Sequence, residues 1–273
     1  MTPADDMVIF TVANRRYEPF VLPYIASALA HNPGALVEIG LEDAGAFAAR
    51  NADALDRLNT AYPGAFTLRN AEISPEAPNS ARFLSETETR RAYLYIGDID
   101  ILILEEIASI HLKLMAVTGL PYSNILRQGR PKMSGLHFTR TEAFYPLPAI
   151  SGEIADEIIR RDEYLLYEII RAKGLAMPPA DFNLRPIHGF HLSLNRRPTA
   201  ARGLNWSIDW HPMFVAPYIH LTESPLWRAL FPLFDPPYQR LAATLDFILE
   251  TKFPDAFAEH DRSWLSPRLF FDH

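Results

Sequence analysis

The sequence predicts an α/β fold whose first half alternates strand and helix in the Rossmann-like manner, and three observations carry that reading. Apolar runs without polar alternation recur at Met7–Val12, Ala35–Leu41 and Ala92–Ile96, as expected of strands buried on both faces. Stretches of helical spacing separate them, first Phe20, Tyr24 and Ala28 with Leu22, Ile25 and Leu29, then Ala44 to Leu58. Breaker clusters end these helices at His31-Asn-Pro-Gly34 and near Tyr62-Pro-Gly64. Strand, helix, strand, helix and a third short strand, Ala65 to Leu68, give the parallel half-domain.

The later elements follow from the same signals. Asn70 to Ser80, with Pro75 and Pro78, reads as a loop, and Ala81 to Arg91 as a short helix. A strand over Ala92–Ile96 is followed after Gly97 by a second run, Ile101 to Leu104, and then by a helix over Ile107–Thr118 that Gly119 ends. Lys132 to Phe138 alternates around a Gly and suggests a strand approached closely by another group. Ser151 is placed to cap a helix through Arg160 and Asp162 one through Lys173, while Ile187 to Leu194 reads as a strand. From Ser224 onward the text is helical and aromatic, which divides the chain into a domain over 1–215 and a C-terminal helical segment over 216–273.

Composition excludes several functions. Of 273 residues nearly half are apolar and the net charge is −7, which suits a globular domain with an ample core. No basic run supplies the footprint of a nucleic-acid binder. Cysteine is absent, so disulfides, zinc-thiolate sites and cysteine nucleophiles are excluded together. The acidic start lacks the regions of a signal peptide, and no apolar run approaches the ~20 residues of a membrane span. The expectation is a cytoplasmic protein, with peripheral contact at the inner membrane face left open.

The chemistry centres on Gly97-Asp98-Ile99-Asp100. Two carboxylates lodged between apolar runs need compensation, because unpaired buried charge is costly. A hard divalent cation such as Mn²⁺ or Mg²⁺ supplies it, with phosphate oxygens completing the shell; a purely structural turn is the alternative. Downstream, His188 and His191 stand in Pro-Ile-His-Gly-Phe-His-Leu. On a regular strand they would face opposite ways, so only one could join the acidic pair.

Taken in order, Thr11-Val-Ala-Asn-Arg-Arg-Tyr17, Arg82-Phe83, Gly97-Asp98-Ile-Asp100, Ser134-Gly135, Asp162-Glu163 and His191 through Arg197-Pro198 form a known plan. Over roughly residues 7 to 198 the chain resembles GT-A fold glycosyltransferases, most nearly the galactosyl- and glucosyltransferases of family 8 and their bacterial relatives. The resemblance implies a nucleotide-sugar-binding fold with a mixed central sheet. It implies transfer of a hexose from a nucleotide diphosphate sugar, expected to be a UDP-sugar, to a glycan or glycolipid hydroxyl, with retention and in a polysaccharide-building role. Asp98, Asp100 and His191 would hold Mn²⁺ or Mg²⁺. Thr11, Val12, Asn14, Tyr17, Arg82, Asp98, Ile99, Asp100, Ser134, Gly135 and Arg197 would meet the donor, and Asp162 or Glu163 would stand beside the anomeric carbon.

The chain also departs from that plan. Asn14-Arg15-Arg16 replaces an acidic loop, Glu163 a Gln and Arg197 a Lys. Tyr17 serves either as a base-stacking ring or as a hydrophobic staple, and Asp162-Glu163 suits a helix start on dipole grounds alone. Two other functions compete. A phosphohydrolase would use Asp98 as nucleophile, but Leu102 fills the position where such enzymes carry Thr. A non-catalytic nucleotide-sugar-binding or assembly module would use the aromatic C-terminal segment, whose Trp227, Leu230, Phe231 and Phe234 stripe is otherwise core packing.

Overall fold

The computed structural model describes residues 3–127, 130–149, 156–192 and 212–265. Its strands are β1 (Met7–Ala13), β2 (Leu36–Leu41), β3 (Phe66–Asn70), β4 (Tyr93–Ile96), β5 (Ile101–Ile103), β6 (Tyr122–Ser123), β7 (His137–Arg140) and β8 (Gly189–His191). Six of them form one sheet in the order β3-β2-β1-β4-β7-β6, and β5 pairs with β8 in a second, two-stranded sheet. β3, β2, β1 and β4 are parallel neighbours, with Val8 opposite Leu36 and Met7 opposite Tyr93. β7 runs antiparallel to both β4 and β6. The sheet is therefore mixed, as the nucleotide-sugar-binding α/β fold requires.

The helices are α1 (Val21–His31), α2 (Ala44–Arg50), α3 (Ala52–Ala61), α4 (Ala81–Leu84), α5 (Ala108–Thr118), α6 (Thr141–Phe144), α7 (Asp156–Ile159), α8 (Asp162–Ala172), α9 (Val215–Glu223), α10 (Pro225–Leu230), α11 (Pro236–Lys252) and α12 (Pro254–Phe257). They cover both sheet faces, which explains why β1 is apolar at every position but Thr11. Alternate residues of β1 divide between two cores. Met7 and Ile9 join Val21, Ile25 and Leu29 of α1, while Val8, Phe10 and Val12 join Leu165, Leu166 and Ile169 of α8.

The aromatic C-terminal segment belongs to the first core. Trp227, Leu230, Phe231 and Phe234 are all buried. Trp227 meets Phe234 edge-on at 5.2 Å, and Tyr238 of α11 meets Phe20 edge-on at 5.7 Å. Beneath them Asp246, fully buried, is held by Arg262 at 2.6 Å and His260 at 3.3 Å. No helix among the described residues is long and apolar enough to cross a membrane.

Several expected elements are corrected. The run Ala44–Leu58 is two helices, broken at Asn51, whose amide donates to the Phe47 carbonyl at 2.9 Å and so competes with helical continuation. The helix expected through Arg91 stops at Leu84. Buried Glu38 on β2 accepts from the Glu88 and Thr89 amides, both at 2.9 Å, and thereby draws that stretch away from helix. The run Ile101–Leu104 does not resume the sheet of β4; the chain turns at 97–100 and pairs with β8 instead. Only His137–Arg140 is a strand in the 132–140 stretch, although Met133 bridges Leu126. Of the expected strand Ile187–Leu194, residues 193 and 194 lie outside the described residues, and the rest is strand over Gly189–His191, with His188 left-handed at φ 63. Ser151 and the first residues of its expected helix lie outside the described residues, which hold Asp156–Ile159 as helix.

Candidate active site and metal centre

β4 ends opposite Phe10 of β1, and at its carboxyl end the chain leaves the sheet through Gly97-Asp98-Ile99-Asp100. That edge is where open α/β sheets present their loops to ligands. The turn is anchored from beneath, because Thr11 Oγ1 donates to the Gly97 carbonyl at 2.9 Å. Gly97 is required here, as an added Cβ would meet the buried Tyr95 ring at 2.7 Å.

Pairing of β5 with β8 sets Ile101 opposite His191 and brings the imidazole back to the acidic turn. His191 Nε2 lies 2.9 Å from Asp100 Oδ1. One ligand atom from each of Asp98, Asp100 and His191 lies within 4.8 Å of the others. Two hard oxygens and one imidazole nitrogen suit Mn²⁺ or Mg²⁺ and leave further positions for phosphate oxygens. The donor set thus fits the ion that the acidic pair suggested.

Arg82 ties this turn to α8. Its Nη2 stands 2.8 Å from Asp98 Oδ1 and 2.6 Å from Asp162 Oδ2, and its Nη1 donates to the Asn79 carbonyl at 2.9 Å. The guanidinium is 5% exposed while the two carboxylates are about a quarter exposed. Burial alone would lower the Arg82 pKa, but the charges of Asp98, Asp162 and Asp100 outweigh it and raise the pKa. A permanently charged group therefore clamps two carboxylates in fixed orientation. Gly135 makes the clamp possible, since a Cβ there would meet Arg82 Nη2 at 2.9 Å.

These groups line a cleft of about 220 Å³, walled by Val12, Asn14 and Tyr17 from the first loop, Pro78 and Asn79, Arg82, Asp98 to Asp100, Asp162 and His191. Tyr17 both lines the cleft and packs on Phe20, with ring centroids 5.9 Å apart. Other expected residues do not reach its lining. Thr11 is buried under the turn, buried Ser134 is held between Asn124 and the Leu136 amide, and Glu163 is engaged by Lys132 and Arg127. Arg197 lies outside the described residues.

Sequence reading missed Pro78 and Asn79, which carry no chemical motif, and a buried chain of groups behind the site. Glu105 meets His188 Nδ1 at 2.9 Å, His188 Nε2 meets His111 Nε2 at 2.8 Å, and His111 Nδ1 meets Ser123 Oγ at 2.8 Å. Burial, reinforced by His188 and His137, holds the His111 pKa well below its usual range. A consistent proton assignment is donation from Ser123 to His111, from His111 to His188 and from His188 to Glu105. His188 is thereby committed to the interior, and His191 alone of the two meets the acidic pair.

No family model matches the chain. No curated protein matches it either. Among solved structures it is similar to the glycosyltransferase GlyE of Streptococcus pneumoniae TIGR4, with 11% identity over 59% of this chain and 38% of that one at a TM-score of 0.35. It is similar to the galactosyltransferase LgtC in complex with donor and acceptor sugar analogs, with 16% identity over 50% of this chain and 58% of that one at 0.34. A third likeness is 4-diphosphocytidyl-2C-methyl-D-erythritol synthase from Anaerococcus prevotii DSM 20548, with 8% identity over 63% of this chain and 96% of that one at 0.33. The chain spans little more than a third of the length of GlyE and under two thirds of that of LgtC. Likeness at this level transfers no residue roles, which rest on the side chains of this chain alone.

Proposed function

We propose that this chain is a metal-dependent glycosyltransferase, moving a hexose from a nucleotide diphosphate sugar to a hydroxyl of a glycan or glycolipid with retention of configuration. The observation that carries the reading is the convergence of Asp98, Asp100 and His191 within 4.8 Å in a cleft that also holds the Arg82–Asp162 clamp. In this reading the three residues hold Mn²⁺ or Mg²⁺, which when bound supplies positive charge against the departing diphosphate. Arg82 keeps Asp98 and Asp162 in register and adds a cation at the same edge. Asp162 stands beside the anomeric carbon. Val12, Asn14 and Tyr17 receive the base and ribose, with Tyr17 offering its ring face, and a UDP-sugar is the donor to test first. Ile99 bounds the sugar, and Ser134 and Gly135 are assigned to the sugar and Arg197 to the diphosphate from the resemblance alone.

The test is calorimetric titration of UDP into the protein with Mn²⁺ and then with EDTA. Wild type is expected to bind only with the ion, Asp100→Asn to fold and lose that binding, and His191→Ala to weaken it less, because water can take the vacated position. Equal binding in EDTA, or wild-type binding and turnover by Asp100→Asn, overturns the metal assignment. NMR of the first-formed product checks retention. Phosphate release without any acceptor would favour the hydrolase reading, and donor binding without turnover across an acceptor panel would favour a binding module.

A further inference from the structure

The hydrogen-bonded relay of Glu105, His188, His111 and Ser123 takes no part in the proposed transfer, yet it is built with care. It starts at a carboxylate that is 35% exposed, crosses two imidazoles that are 0% and 2% exposed, and ends on buried Ser123 of β6. All four ring nitrogens are engaged, at 2.8 to 2.9 Å. His188 is also the one non-glycine residue with positive φ among the described residues, an uncommon conformation for a residue that carries a Cβ. Glycine takes it freely; the imidazole is what a histidine adds.

Two successive residues grip His188. Leu104 N donates to its carbonyl at 2.7 Å, and Glu105 Oε1 holds its Nδ1. Glu105 is fixed in turn, because its carbonyl accepts from Asn32 Nδ2 at 3.2 Å, at the end of α1. From His188 the backbone passes directly into β8, where Gly189, Phe190 and His191 pair with Ile103, Leu102 and Ile101. A ladder of three pairs is short, and the hold on its entry residue fixes the register in which His191 meets Asp100. We propose that Glu105, His188 and His111 are positioning residues, whose relay, closed by Ser123, locks the entry to β8 and thereby seats His191 against Asp100 for the ion. The proposal rests on the metal-dependent reading of the cleft and deepens it. Groups that orient a ligand from outside the coordination shell ordinarily weigh about tenfold or more on ion affinity. None of the four relay residues lines the cleft, so their loss acts through His191 and leaves the nucleotide's walls in place.

The experiment has two readouts on the full chain. One is the Mn²⁺ concentration that half-saturates UDP binding. The other is the histidine-ring nitrogen NMR spectrum of the metal-free protein, with the His191 signals identified by their loss in His191→Ala. Glu105→Ala cuts the relay at its most exposed member, and His188→Gly removes the ring while keeping the left-handed backbone. Both are expected to raise the Mn²⁺ requirement about tenfold, to leave UDP affinity at saturating Mn²⁺ within about twofold, and to shift the His191 signals. Glu105→Gln still offers His188 an oxygen acceptor and should match wild type in both readouts. Leu58→Ala opens a cavity at a fully buried site of α3 and should change neither, which separates seating from general loss of stability. Glu105→Ala keeps the test readable should His188→Gly fail to fold. An unmoved Mn²⁺ requirement or unmoved His191 signals in the folded variants overturns the proposal, as does a Glu105→Gln as damaging as Glu105→Ala or an equal effect of Leu58→Ala. If wild type binds UDP equally well in EDTA, the metal reading falls, and the ring spectra alone decide whether the relay seats His191.

Discussion

Gly189 offers the sharpest test of how His191, the third residue of the proposed metal site, is delivered. It opens β8, two residues before His191, and a Cβ at this position would lie 1.8 Å from the Leu102 carbonyl oxygen on β5. Carbon and oxygen do not approach closer than about 3 Å without bonding, and the obstacle is backbone rather than the movable end of a side chain. Gly189→Ala must therefore push the two strands apart by more than about 1 Å. The bonds flanking the pair, Leu104 N to His188 O and Leu192 N to Asp100 O, both 2.7 Å, are the first to lengthen, at about 1 kcal/mol each. Loosened packing around fully buried Phe190 adds about 1–3 kcal/mol. A total of about 3–5 kcal/mol follows, in the range reserved for specific structural damage. Urea unfolding of Gly189→Ala beside wild type measures it, with Gly45→Ala as control, since that Cβ meets only Asp43 Oδ1 at an ordinary 3.6 Å. Folded Gly189→Ala should also weaken Mn²⁺-dependent UDP binding, to about the extent of His191→Ala, because the same displacement parts His191 from Asp100. Stability within about 0.5 kcal/mol of wild type with intact ion-dependent binding would refute the reasoning.

The remaining predictions concern the clamp, the pH response and the C-terminal helices. Gly135→Ala should fold normally but dislodge Arg82 from Asp98 and Asp162, cutting donor turnover about tenfold or more; unchanged kcat and KM would show that the clamp has no role. Burial holds the His137 pKa down at about 3 and lowers that of His111 as well. The unfolded chain takes up protons near pH 6.5 that these two cannot, so stability is lost as pH falls below about 6.5. His260 opposes them: burial alone would lower its pKa, but Asp246 and Glu223 raise it, so its contribution is full below about 6.5 and lost as pH rises through the folded value. His137→Phe should flatten the acid limb by up to about 1.4 kcal/mol per pH unit, read from urea midpoints between pH 7 and pH 4; an unchanged slope sinks the assignment. Trp227→Ala should cost about 3–5 kcal/mol by cavity formation. Wild type should not float with anionic liposomes, and flotation lost on Trp227→Ala and Phe231→Ala with folding intact would reverse the core-packing view.

What is legible in the sequence follows burial. β1, β2 and β4 read cleanly because strands covered on both faces are apolar at nearly every position, Thr11 and Glu38 apart, and the acidic turn stands out against them. Ile101–Leu104 has the same apolar character as β4, so nothing local separates a strand that stays in the sheet from one that leaves it; the partner, β8, lies about ninety residues on. The premature end of α4 has a signal in Glu38, a lone carboxylate inside an apolar run that had to find donors somewhere. Strand alternation assigns His188 and His191 to opposite faces, whereas a left-handed residue at 188 is what separates them.

The arrangement of the two sheets makes scaffold and centre separable along the chain. The six-stranded sheet receives its last strand by Arg140, while the imidazole that faces Asp100 arrives only with β8. Its delivery depends on a ladder of three residue pairs to β5 and on no strand of the main sheet. During synthesis the main sheet can be assembled while the proposed cation site is still two carboxylates without their nitrogen partner. On the proposed metal assignment, ion affinity becomes a readout of the final docking event rather than of sheet formation. In mutants of the small sheet the two properties can part company, leaving a chain that is folded by circular dichroism yet blind to manganese.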